Sequence, residues 1–347
     1  MNILYFTMMR QITVLFLLIA IGFFLRRKKI LPDSTARVLS ILETHIFLPA
    51  LALKNLSANF RREMLGENLF LILVGILFLL LILVIGYLLT NFYGRKTSLA
   101  KNILFYIFTF PNYGYFGYPV IDAIFGEKML TLTMILAIPV SISIYSLGIC
   151  VVNGSWHDKS GRTGCELPGF RQEKESMSLS AAVRLFPGRL KAVFSPVLGG
   201  LAIGILLGIT QFPVPKPVYE GVSMLSSCMG PVAMLLTGFV LAAYPLGRLF
   251  VSIQSYIISF IRLLVIPFFV GLVLWMVGMR NESLMIPVII SAMPVGLNII
   301  IFPEAVGKDT SEYARICFAS YLMSILTIPL VFMIIIYIAG CRGLAGF

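Results

Sequence analysis

The sequence predicts an all-α integral membrane protein. Ten transmembrane helices form two inverted five-helix repeats, and helices 4 and 9 are broken where they cross. Three observations predict this. First, 59% of the 347 residues are hydrophobic and only 12% are charged, whereas soluble domains average about 45–50% and 25%. Second, the chain contains ten apolar runs of the ~20-residue length that an α-helix needs to cross the hydrocarbon core. Third, these runs divide five and five around a polar stretch, and features of the first set return 182 positions later, as from Pro49 to Pro231.

The ten runs lie at roughly 10–25, 36–56, 68–91, 99–121, 129–153, 193–212, 219–243, 249–278, 283–303 and 312–340. The polar stretch starts at "NGSWHDKSGRTGCELPGF" from Asn153. It separates a first repeat (1–153) from a second (193–347), with a loop over 154–192. The N-terminal run is not expected to be a cleaved leader. Its basic cluster, "RRKK" at Arg26–Lys29, follows the apolar run instead of preceding it.

The net charge of +12 does not point to nucleic acid, because most of the basic residues lie in short loops between runs. With the N-terminus outside, the cytoplasmic side carries 18 Lys and Arg and the other side eight; Arg262 falls within a run. Cytoplasmic loops are the ones that accumulate Lys and Arg. The expected placement is therefore a cell membrane, with both termini outside and the central loop inside. The five cysteines, Cys150, Cys165, Cys228, Cys317 and Cys341, are scattered without metal-ligand spacing and read as small apolar fillers. No cofactor is expected.

An odd number of spans per repeat requires opposite orientations for two copies of one fold. "HIFLPALAL" in run 2 pairs with "CMGPVAMLL" in run 7. "NYGYFGYPVIDAIFG" in run 4 pairs with "MPVGLNIIIFPEAVG" in run 9. Pro119 has no N–H and crowds the preceding turn, and Gly114 and Gly117 admit backbone conformations closed to other residues. Pro294, Gly296 and Asn298 form a similar set in run 9. Freed backbone groups at membrane depth are tolerated only where protein or water satisfies them. Half-helix N-termini offer N–H groups to an anion, and Asn112 can both donate and accept. Proline and glycine also merely kink membrane helices, but two such segments at repeat-related positions favour a binding site of the secondary-transporter kind. Tyr113, Tyr115 and Tyr118 are expected to act mainly as interfacial anchors.

These segments resemble the auxin efflux carrier family, which includes the plant PIN exporters and bacterial organic-acid permeases. "PNYGYFGYPVIDAIFG" is similar to its fourth-span motif and "AMPVGLNIIIFPEAVG" to its ninth. "IFLPAL", "GFVLA" and "IRLLVIPF" also fit, and the likeness runs from about residue 10 to residue 340. The resemblance implies ten spans as two inverted repeats, with spans 1, 2, 6 and 7 as scaffold and the rest as the moving part. It implies organic-anion substrates such as dicarboxylates, and a homodimer. Plant members place a proline at the ninth-span crossing, where this chain has Asn298 and Ile299. That departure resembles the bacterial branch and leaves open how sharply span 9 is broken.

Charged groups inside spans need a partner or a use, because each costs ~2.5–3.5 kcal/mol at a helix centre. Glu43 and His45 lie in run 2. Two readings stay open for Glu43: proton coupling, or snorkelling to the cytoplasmic interface. His45 reads as a proton group or a hydrogen-bonded packing residue. Arg262 reads as an anion ligand or as a donor to carbonyls of a neighbouring broken helix. Asp122 and Glu304 are related by the same 182-residue shift and read as ion or proton sites or as span ends.

Walker, GxGxxG, HExxH and GxSxG motifs are absent, so no enzyme is expected and the driving force is a gradient or a partner. The expected activity is secondary transport of small organic anions. The expected binding residues are Asn112, Gly114, Gly117, Pro119, Pro294, Gly296 and Asn298, with proton or sodium coupling. The alternatives are a sodium-coupled symporter of the bile-acid type and a membrane sensor acting through the central loop.

Overall fold

The computed structural model describes residues 2–94, 97, 99–152, 195–250, 252–304 and 308–339. The expected central loop, with His157 and Cys165, lies outside the described residues, as does Cys341. Among the described residues every regular element is helical, apart from one isolated antiparallel bridge between Pro111 and Val295.

Helix α1 spans Asn2–Arg27. Helix α2 spans Thr35–Asn59, α3 Leu65–Tyr93 and α4 Lys101–Thr109. Helices α5 (Tyr113–Leu136) and α6 (Ile138–Val152) meet at a 52° bend. Then follow α7 (Pro196–Thr210), α8 (Lys216–Leu241), α9 (Ile253–Met276), α10 (Asn281–Ser291), α11 (Asn298–Glu304) and α12 (Ser311–Ala339). Within α5, Gly126 adopts φ 78°, a left-handed conformation that favours glycine, and breaks the helix in the connection expected between runs 4 and 5.

Six helices among the described residues are long and apolar enough to cross a membrane, or seven if α5 and α6 count as one bent span. The expected ten spans are thus not all unbroken helices. Runs 4 and 9 are interrupted, and α7 and α10 are apolar but short, with 15 and 11 residues. The outer surface is apolar: Leu73, Met224, Met276 and Leu326 are all exposed. A chain with this surface is a multi-pass membrane protein.

Close backbone contacts hold the helices together. Without a hydrophobic force between helices in lipid, association relies on small residues that let backbones approach. Helix α7 carries Gly200, Gly204 and Gly208 on one face. A Cβ on Gly200 would stand 2.7 Å from the Pro49 Cα of α2, and one on Gly208 would stand 2.5 Å from the Phe60 carbonyl oxygen. Helix α1 lies against α8 in the same way, through Gly22 and Gly238. The four helices α1, α2, α7 and α8 pack mainly on one another; α3 packs on α4, and α9 on α10 and α12.

Three helices open into wide turns just before a proline. In Glu43–Phe47, Tyr113–Gly117 and Ile261–Val265 the closing N–H, from Leu48, Tyr118 and Ile266, reaches back five residues instead of four. Pro49, Pro119 and Pro267 come next in the chain. Each lacks an N–H for the carbonyl four residues earlier, and its ring crowds that carbonyl, so the turn widens. A fourth wide turn, Ile144–Gly148, has no such proline. There the Ser146 hydroxyl bonds to the Ile142 carbonyl at 2.6 Å and competes with the helix ladder.

Candidate functional site

The two interrupted segments meet. Helix α4 ends at Thr109, and Phe110, Pro111 and Asn112 are not helical before α5 begins. Helix α10 ends at Ser291, and the chain stays non-helical through 292–297. The Asn112 N–H donates to the Pro294 carbonyl at 2.8 Å, beside the Pro111–Val295 bridge. Each broken helix therefore satisfies backbone groups of the other, as buried peptide groups require. Span 9 breaks without a proline at Asn298–Ile299, because Pro294 removes the donor earlier and the Val295 N–H turns to the Ser320 hydroxyl at 3.2 Å.

A small cavity of about 30 Å³ lies at the meeting point. It has room for one or two waters. Asn112, Gly114, Gly296 and Asn298 line it, with Tyr113, Tyr115, Tyr118, Ser141 and Tyr145. No charged residue is among its described lining residues. The first N–H groups of a helix have no partner within it, and Tyr113, Gly114 and Tyr115 at the start of α5 lie on the cavity wall. The site is polar but uncharged, with amide and hydroxyl donors inside an apolar shell.

Most of the expected site residues come together here. Gly117 and Pro119 do not line the cavity, but they fix its shape. A Cβ on Gly117 would stand 3.2 Å from Met293 Cγ of the other break. Pro119 faces Gly230 of α8, where an added Cβ would meet its ring at 3.5 Å. Pro294 contributes its carbonyl to Asn112.

Three expectations about side chains are corrected. Tyr113, Tyr115 and Tyr118 are buried in the chain and are not interfacial anchors. The wide turn carries them inward, and the Tyr113 hydroxyl bonds to the Ser141 hydroxyl at 2.7 Å. Glu43 does not snorkel; it is 0% exposed, and neither carboxylate oxygen has a partner. Arg262 is also fully buried, and its guanidinium nitrogens bond to no carbonyl. His45 is exposed, with Nδ1 3.0 Å from the carbonyl of Ile41. Asp122 and Glu304 are exposed outside the cavity.

Two residues are absent from the sequence reading. The Asn112 amide donates to the Tyr321 hydroxyl of α12. The Tyr106 hydroxyl of α4 lies 3.6 Å from where a Cβ on Gly296 would stand. Both tyrosines sit in long apolar runs whose local pattern marks nothing but a helix. Among the described residues, no group of three His, Cys, Asp or Glu could hold a metal ion.

A family model described as "membrane transport protein" matches residues 7–332, which takes in both breaks and the cavity between them. The chain belongs to this family, of the auxin efflux carrier type. Two relatives are similar along nearly their whole length. The uncharacterized transporter YfdV of Escherichia coli K12 is 24% identical over 314 residues, covering 88% of this chain and 89% of YfdV. The uncharacterized transporter MJ1031 of Methanocaldococcus jannaschii is 21% identical over 323 residues, covering 93% and 97%. The protein is a membrane transporter and not an enzyme.

For this transporter, Pro119→Ala is a direct test of the wide turn. The alanine N–H can close an ordinary turn on the Tyr115 carbonyl, which tightens the helix and draws Tyr113 and Tyr115 off the cavity wall. Uptake is expected to fall severalfold while Tm stays the same or rises, measured on the purified variant in proteoliposomes and in detergent.

Proposed function

We propose that the transporter is a secondary carrier of small organic anions, mono- or dicarboxylates, which bind where the two broken segments meet. The observation that carries this reading is the pairing of Asn112 with Pro294 across the Pro111–Val295 bridge, next to an uncharged polar cavity. Unpaired N–H groups at the start of α5 suit a carboxylate. The amides of Asn112 and Asn298 and the cavity-lining tyrosine hydroxyls supply further donors.

A cavity of about 30 Å³ is too small for a carboxylate substrate. The reading therefore includes movement: α3–α6 and α9–α12 shift against a scaffold of α1, α2, α7 and α8, opening the site alternately to each side. The ten spans are read as two inverted five-helix repeats. The basic-residue bias supports outer termini and a cytoplasmic central loop, and the family resemblance supports a homodimer in the lipid.

The test is uptake by proteoliposomes of labelled malate, malonate and monocarboxylates, with and without pH and sodium gradients. Saturable movement of at least one is expected. If none moves under any gradient, the reading fails. If uptake requires sodium, the alternative of a sodium-coupled symporter of the bile-acid type gains.

A further inference from the structure

The crossing does not use Glu43. This residue opens the wide turn Glu43–Phe47 in α2, six residues before Pro49. It is 0% exposed, both oxygens are unpartnered, and it takes part in none of the ion pairs among the described residues. An isolated ion taken from water without a partner costs several kcal/mol, whereas the neutral acid carries no such charge penalty. Among the described residues of the helices packed on it, no buried counter-charge faces it. On its own helix, Arg37 and His45 are exposed, and Lys54 pairs with Glu127 at 3.4 Å. Helix α7 carries no ionisable side chain, and on α8 Lys216, Tyr219, Glu220 and Cys228 are all exposed. The titratable groups of the broken segment and the helix after it that bear on it are phenols: the Tyr115 hydroxyl bonds with Ser40, one turn before Glu43 on α2, and it interacts electrostatically with Glu43 and with Tyr145.

That position has a use. Tyr115 lines the cavity together with Leu48 and Ala52 of the same helix as Glu43. The turn that Glu43 opens packs on α7 and α8, and its neighbours on α2, Ser40 before it and Leu48 after it, meet Tyr115 of the broken segment, so Glu43 stands next to the seam that any opening of the cavity must part. We propose that Glu43 is the proton site of the transporter. It binds one proton (–COO⁻ + H⁺ → –COOH) when the seam is open to water. It stays neutral through the closed arrangement, and it releases the proton when water returns from the other side. What the proton is coupled to rests on the organic-anion reading; the existence of the site does not.

Two measurements on the full-length protein test this. In proteoliposomes carrying whichever labelled carboxylate the wild type moves, an acid-outside gradient is expected to stimulate wild-type uptake severalfold. E43Q should lose that stimulation yet retain substrate exchange. Equal stimulation of E43Q and wild type overturns the proposal. Infrared difference spectra of wild type against E43Q should show a carboxylic-acid C=O band assigned to Glu43; a band of ionised carboxylate alone overturns it. If E43Q does not fold, E43D serves instead, and the acid band should shift in frequency but persist. An acid band in a protein that moves no carboxylate sinks the organic-anion reading and leaves the proton site standing. Carboxylate uptake indifferent to the pH gradient in wild type does the reverse.

Discussion

Gly238→Leu is expected to leave no folded transporter. A Cβ at this position of α8 would stand 1.8 Å from the Ile19 carbonyl oxygen of α1, and 2.8 Å from the Phe23 nitrogen. The atoms in the way are backbone, so no rotamer change relieves the clash; the two helices must separate. Separation also undoes the reciprocal contact, in which Gly22 faces the Leu235 carbonyl at 2.1 Å from a would-be Cβ. Overpacking a core costs about 1–3 kcal/mol where side chains can give way. Here they cannot, and lipid supplies no hydrophobic force to close the gap again. The expected readout is loss of the monodisperse species in detergent and a collapse of membrane expression. Gly199→Leu is the matched control, because an added Cβ there meets nothing within 4 Å. It should express and melt like the wild type. Normal expression of the Gly238 variant would mean that the α1–α8 seam is looser than these distances describe.

The second large effect is expected at Asn112, whose amide donates to Tyr321 and whose own N–H reaches Pro294. Asn112→Ala removes a buried donor from the crossing and takes one of the two hydrogen-bond partners, Asn112 and Thr237, from the Tyr321 hydroxyl. Leaving a buried polar group unpaired costs about 1–3 kcal/mol, and each 1.4 kcal/mol is tenfold in affinity. Carboxylate uptake at subsaturating substrate should fall roughly ten- to a hundredfold. Asn112→Asp keeps the shape and adds a negative charge. Two like charges about 4 Å apart repel by ~4 kcal/mol at an effective dielectric of 20, so anion uptake should fall by more than a hundredfold. For a sodium site the same substitution would preserve or strengthen binding. The pair of variants thus separates the two transport readings, with thermal stability as the check that both still fold.

The architecture was legible wherever proline or glycine alters the backbone locally. Pro119 and Pro294 mark the two breaks, and Pro49 and Pro267 mark wide turns in helices that otherwise read as continuous. The span count was less legible. A hydropathy run measures apolar length, and α4 with the start of α5, or α10 with α11, adds up to one run although neither piece spans alone. The site was half legible. Asn112 and Asn298 stand out as amides in apolar segments, but Tyr106 and Tyr321 reach the crossing only through tertiary packing. Glu43 shows why depth cannot be read from position in a run: near the predicted end of the span, it still turns inward on the wide turn that Pro49 causes.

The bridge between Pro111 and Val295 also bears on the order of synthesis. The N–H freed at Asn112 is matched by a carbonyl 182 residues further along the chain, at Pro294. A ribosome that has delivered only the first five runs has therefore made a broken helix whose Asn112 N–H still lacks the acceptor it has in the finished protein. That N–H must wait for its acceptor until run 9 emerges. The crossing is consequently completed only once both segments are present, so the cavity forms late in translation.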